Sequence, residues 1–180
     1  DQVGTDGYTL WGGYWNQADY PSKLNAYMPA QTDEYQIPVP VFRMLGSDPM
    51  YQYDAGIGSN HQGVITLEPV YTEGGKSKKW VEYFLKTIVD EPCLAFNYAQ
   101  AGQENSFTWS GMGVGLIMHF PLFDSLSKAG KIRVETLEES GRWIKEQFPK
   151  TPATAITTVA DVRHEGHKSV WHNRRFYRPN

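Results

Sequence analysis

The sequence predicts an α/β fold, a partial TIM-like (β/α) barrel followed by the start of a β-rich segment. Three observations lead there. Apolar runs of strand length alternate with helical patterns over residues 64 to 159. Polar loops follow the apolar runs, as they do at the C-terminal rim of a barrel. After residue 160 the texture turns basic and β-like. The expected division is residues 1–160 as the C-terminal part of a barrel and 161–180 as the opening of a β-rich appendage.

The elements follow in order. Tyr8 to Gly12 reads as a short strand entering a Gly/Asn/Asp/Pro-rich loop. Ile37 to Leu45 is apolar, but Pro38 and Pro40 donate no ladder bonds, so only Val41 to Leu45 can pair inside a sheet. Val64 to Val70 is a strand pattern ending in Glu68-Pro69. Ser77 caps a helix whose Val81, Phe84, Leu85 and Ile88 repeat at i, i+3, i+4 and i+7. Cys93 to Tyr98 reads as the next strand. Met112 to Lys128 has a helical pattern closed by Gly130, irregular because of Gly113, Gly115 and Pro121. Ile132 to Val134 is a brief strand. Thr136-Leu-Glu-Glu139 is a capping box opening a helix to Phe148, with Trp143 beside its buried face. Ala153 to Val159 and Ser169 to Tyr177 read as strands.

Bulk properties narrow the function classes. The 180 residues suit one domain or most of a larger one. Net charge is −3 and no basic run precedes the C-terminus, which argues against nucleic acid. No apolar run has membrane-spanning length, so no membrane insertion is expected. Cys93 is the single cysteine, which excludes a disulfide framework and a cysteine-based zinc site. The chain begins with Asp and its last strand pattern has no closing element. It therefore reads as a piece of a longer protein, with a missing N-terminal part as its natural partner.

The distinctive signal is aromatic. Of 25 aromatic residues, ten lie in the first 60 positions, beside seven acids and two bases, Lys23 and Arg43. Tyr8 to Tyr20 holds five rings in thirteen residues with Asn16, Gln17 and Asp19 among them. Flat rings beside short polar groups suit a neutral ligand with apolar C–H faces and many hydroxyls, which describes a sugar; a wet aromatic loop over a core is the plain alternative. Trp11, Tyr14, Trp15 and Trp109 are the predicted stacking residues, and Asn16, Gln17 and Gln103 the hydrogen-bonding ones.

Glu68 and Glu104 would stand at neighbouring strand ends, where one carboxyl can protonate a leaving oxygen and the other act as base or nucleophile. Asp54, after Tyr51 and Tyr53, is a third candidate. The plain reading has Glu68 in a cap or salt bridge and Glu104 in solvent. Gly74-Gly75-Lys76-Ser77 is not a phosphate loop, because position 70 is Val rather than Gly. His164 and His167 fit a surface turn better than a metal site. His119, inside an apolar helix, fits a hydrogen-bonded core histidine. No metal and no cofactor are implied.

Five phrases carry a family resemblance: TDGYTLWGGYWNQ, YMPAQTDEYQIPVPVFRMLGSDPMYQYD, ITLEPVY, QENSF and SVWHNRRFYR. Together they resemble Bacteroidetes glycoside-hydrolase-like proteins with a polysaccharide-deacetylase-type barrel. The resemblance implies the second half of such a barrel and a carbohydrate substrate. It carries over no catalytic residue, and the Asp and His-x-x-x-His metal pattern of true deacetylases is absent from this sequence. The expected function is hydrolysis of a neutral poly- or oligosaccharide by paired carboxylates, or else noncatalytic glycan binding, in a periplasmic or extracellular setting.

Overall fold

A computed structural model describes residues 18–26, 28–42, 67–90, 95–99, 107–153, 155–160, 168–173 and 175. Among these the architecture is predominantly helical. Three helices, α1 (Lys78–Asp90), α2 (Trp109–Lys128) and α3 (Leu137–Gln147), follow a single 3-10 turn at Asp33–Tyr35. Two strands, β1 (Ala155–Ala160) and β2 (Lys168–Asn173), come last and pair with each other antiparallel, Ala155 opposite Asn173 and Ala160 opposite Lys168.

This overturns the TIM-like (β/α) barrel. A barrel needs parallel neighbours joined by helical crossovers, and the only ladder among the described residues is this antiparallel ribbon. The ribbon also spans the boundary drawn at residue 160. Three apolar runs read as barrel strands serve another purpose. Leu67 to Val70 is an irregular loop, residues 95–99 are irregular, and Ile132 to Val134 is extended without a ladder. Leu67 is buried against α1, and Phe96 and Tyr98 pack against rings elsewhere. Their apolar character is spent on side-chain packing against helices. The run at Tyr8 to Gly12 and most of Val41 to Leu45 lie outside the described residues.

The helices themselves follow local chemistry. Ser77 Oγ accepts from the Trp80 N–H at 3.3 Å at the head of α1. At α3 the Thr136 hydroxyl accepts the Glu139 N–H at 3.3 Å while the Glu139 carboxylate accepts the Thr136 N–H at 2.7 Å. Those bonds hold the Glu139 carboxyl below the usual range. Gly130, at φ 67°, ends α2, and the Lys131 N–H returns to the Leu126 carbonyl at 2.9 Å. Pro121 sits within α2 at an exposed position, where the helix bond forgone by its missing N–H falls on the solvent side.

Two apolar clusters result. The first holds Leu67, Trp80, Val81, Phe84, Leu85 and Ile88, with Met118, Leu122, Phe123 and Leu126 of α2 packed on it. The second joins Ala18, Tyr20, Phe42 and Ile144, flanked by Phe96, Tyr98, Trp143 and Phe148. Segment 18–42 is folded back on itself by isolated bridges, Asp19 with Val41 and Ser22 with Gln36, and enters the second cluster through Ala18, Tyr20 and Phe42. It is also tied to the exit of α3. The Tyr20 N–H donates to Thr151 Oγ1 at 3.0 Å, and the Tyr20 hydroxyl to the Phe148 carbonyl at 2.7 Å.

Residues 67–77 form a strap that folds on itself and lies on α2. A Cβ at Gly75 would overlap the Glu68 carbonyl and sit 2.7 Å from the Leu67 carbonyl oxygen; one at Gly115 would sit 2.5 Å from Pro69 Cβ. Both obstacles include backbone, which does not yield cheaply. Gly75→Ala and Gly115→Ala should each cost at least about 1–3 kcal/mol by overpacking. Gly141, in the middle of α3 with nothing within 4 Å of its would-be Cβ, gives the opposite sign. Gly141→Ala should stabilise by about 0.5–1 kcal/mol. Urea unfolding of the three variants measures both signs.

Candidate functional site

The two clusters do not merge. Between them lies a cleft of about 1520 Å³, walled by Leu67, Leu85, Ile88 and Phe123 from the first and by Phe42, Phe96, Trp143 and Ile144 from the second. Pro38 to Val41 and the extended link between α2 and α3 also line it. The volume exceeds the roughly 300–1,000 Å³ typical of small-molecule pockets and suits an extended ligand.

Aromatic side chains give one wall its shape. Trp143 meets Phe96 edge-on at 5.4 Å between centroids and Phe148 at 5.7 Å, while Phe42 and Tyr98 lie 4.5 Å apart. Arg133 stands with its guanidinium carbon 5.0 Å from the Trp143 ring centroid, within cation–π range. Burial pushes the Tyr98 phenol above its ordinary value of 10.0, so it stays a neutral donor and acceptor at ordinary pH.

Charge on the cleft is largely compensated in place. Arg133 Nε bonds Glu135 Oε1 at 3.1 Å, and Ser140 Oγ donates to the other Glu135 oxygen at 2.9 Å. Arg142 pairs with Glu138 across one turn of α3. Lys131 Nζ reaches Asp90 Oδ1 at 2.9 Å, and that bond with its charge holds the Asp90 carboxyl below its usual range. Three of the four basic side chains lining the cleft are thus engaged by carboxylates. Such a surface offers many hydrogen-bonding groups and little net field, which suits hydroxyls better than phosphate or carboxylate ligands.

The residues singled out from sequence fall elsewhere. Asp54, Glu104, Trp11, Tyr14, Trp15, Asn16, Gln17 and Gln103 lie outside the described residues. Glu68 is half-buried in the strap, in a loop rather than at a strand end, and it does not line the cleft. Trp109 is the first residue of α2, 63 % exposed, its ring folded over Gly113, where a Cβ would sit 2.7 Å from Trp109 Cε2. It too lies off the cleft. Among the described residues no cluster of His, Cys, Asp and Glu could hold a metal ion. None of their helices is long and apolar enough to cross a membrane.

Sequence reading passed over Arg133, Glu135, Phe96, Tyr98 and Trp143 as strand or helix material. A usable signal existed: Arg133 and Glu135 share one side of an extended stretch immediately before a capping box that opens the helix carrying Trp143 about two turns into α3. Comparison with protein-family models, curated proteins and solved structures returned no match for this chain.

The Tyr20 hydroxyl, by its bond to the Phe148 carbonyl, ties segment 18–42 to the end of the helix that carries Trp143. Tyr20→Phe should cost about 0.5–1.5 kcal/mol in chemical denaturation, the usual loss for one such bond.

Proposed function

We propose that the chain binds a neutral oligosaccharide in the cleft between its two apolar clusters. The observation that carries the reading is the pairing of an aromatic wall with charge-compensated polar groups at one site. Apolar C–H faces of a sugar ring pack on Trp143, Phe96 and Tyr98, and its hydroxyls exchange hydrogen bonds with Arg133, Glu135 and Arg142. The aromatic and polar composition of Tyr8 to Tyr20 supports the same ligand class independently.

Noncatalytic binding is the form the geometry favours. The only one of the three carboxylates nominated for hydrolysis that lies among the described residues, Glu68, stands off the cleft. Binding needs no pair of carboxylates at catalytic separation.

A panel of neutral and acidic oligosaccharides, read by tryptophan fluorescence and calorimetry, tests this. Neutral ligands should bind and uronate or sulfated ones should bind more weakly. Arg133→Ala should weaken binding roughly tenfold, the worth of one charged hydrogen bond. Trp143→Ala should abolish it and Trp109→Ala should leave it intact. No binding of any neutral oligosaccharide at millimolar concentration overturns the proposal. Loss on Trp109→Ala with retention on Trp143→Ala moves the site to the head of α2.

A further inference from the structure

Deep between the strap and α2, His119 is 2 % exposed, and its Nε2 lies 2.7 Å from the Gly75 carbonyl oxygen. A carbonyl only accepts, so Nε2 carries the proton and Nδ1 is the remaining basic site. One turn earlier on the same face, Gly115 lies against Pro69 at the other end of the strap. Two points of one helix thus pin both limbs of residues 67–77, and one of the two points can take up a proton.

We propose that His119 is a proton-operated latch, holding the strap on α2 when neutral and releasing it on acidification. Protonation places a cation between the strap, Phe123 and the buried first cluster. The Phe123 ring meets the imidazole at 5.7 Å, steeply inclined, and offers no counter-charge. The charged residues of the packed elements are few and mostly engaged. The strap carries Glu68, Glu73 and Lys76; α2 carries Asp124 and Lys128, joined to each other; α1 carries the joined Lys78 and Glu82 and, at its far end, Asp90 joined to Lys131, with Lys79 and Lys86 exposed. Burial lowers the imidazole below its ordinary value of 6.5, against an upward pull from the Gly75 bond, and no charged group contributes.

The sign follows by linkage. With the folded value lowered, the open strap binds more protons than the closed one as pH falls below about 6.5. Closure is fully favoured above that pH. It weakens by up to about tenfold per pH unit below it, until the folded-state value is passed. Leu67 begins the strap and also lines the cleft, so release also loosens one cleft wall. This last consequence rests on the carbohydrate reading; the latch does not.

Hydrogen exchange of residues 67–77 in the full chain, corrected for intrinsic rates, is measured from pH 7.5 to 5.0. The Lys76 and Ser77 amides, bonded within the strap to the Tyr71 and Gly74 carbonyls, report how firmly it keeps its folded form against α2. In the wild type their protection should fall several-fold on acidification. In His119→Gln, whose amide donates to Gly75 without titrating, it should not change with pH. Equal pH profiles in the two proteins, or a flat profile in the wild type, overturn the latch. Should the variant not fold, the wild-type His119 Hε1 resonance decides. A titration below pH 6.5 in step with strap amide shifts supports the latch, and an ordinary free-imidazole titration, or one that leaves the strap shifts unmoved, overturns it. Neutral-oligosaccharide affinity is followed over the same pH range. Exchange that responds while affinity does not overturns the coupling alone; absence of binding at pH 7.5 strikes only the carbohydrate reading.

Discussion

The close approach of Gly75 to the Glu68 carbonyl is the constraint on which the rest depends. It brings the two limbs of residues 67–77 side by side with no room for a methyl group between them. That closure delivers Leu67 to the first cluster and sets Ser77 at the head of α1. It also brings the Pro69 and Gly75 carbonyl groups to one face of α2, where Gly115 and His119 meet them. Packing of their apolar faces stabilises α1 and α2, and the strap helps to decide how they lie against each other.

The cleft persists because both sides resist closing it. Pro38 and Pro40 supply no N–H groups with which the Asp19–Val41 bridge could be extended into a ladder along 38–40. Opposite them, Arg133 and Glu135 are joined to each other and to Trp143 and Ser140. Pressing the walls together would desolvate this pair, and a buried ion pair recovers its solvation cost only with excellent geometry. Compensation in place therefore disfavours collapse of the groove.

Local grammar was the legible part of the sequence. The capping box at Thr136, the Ser77 cap, the glycine after Lys128 and the period of Val81, Phe84, Leu85 and Ile88 all act over a few residues, and each element stands where they point. The ribbon strands at Ala155–Ala160 and Lys168–Asn173 were legible as strands too. Sheet partnership was not legible. An apolar run such as Leu67 to Val70 or Ala95 to Tyr98 has the same composition whether it enters a ladder or packs on a helix, and only long-range contacts separate the two. The cleft was illegible for the same reason. Phe42, Phe96, Arg133 and Trp143 span a hundred positions and are brought together only by the tertiary fold. The aromatic stretch from Tyr8 to Gln17 bears on ligand chemistry through composition alone, since it lies outside the described residues.

Helix α2 shows why composition also misleads about orientation. It exposes Val114, Ile117 and Phe120 at 67 %, 64 % and 58 %, while Gly113, Gly115 and His119 are buried. In its N-terminal half, a reading that buries the apolar side chains and exposes the glycines would turn it the other way. Leaving those three outside forgoes about 3–5 kcal/mol of burial. The His119 bond, at about 1 kcal/mol net, cannot offset that alone. The inward stripe does: Gly115, Met118, His119, Leu122, Phe123 and Leu126 recur at i, i+3, i+4, i+7, i+8 and i+11, and four of them are large and packed on the first cluster. Four apolar contacts inward outweigh three outward, and Gly115 at the head of the stripe supplies the clearance that the strap needs. The helix is thus oriented by its C-terminal half and fitted to the strap by its N-terminal half. His119 sits where the two requirements meet, which is why a proton on that ring acts on packing and strap together.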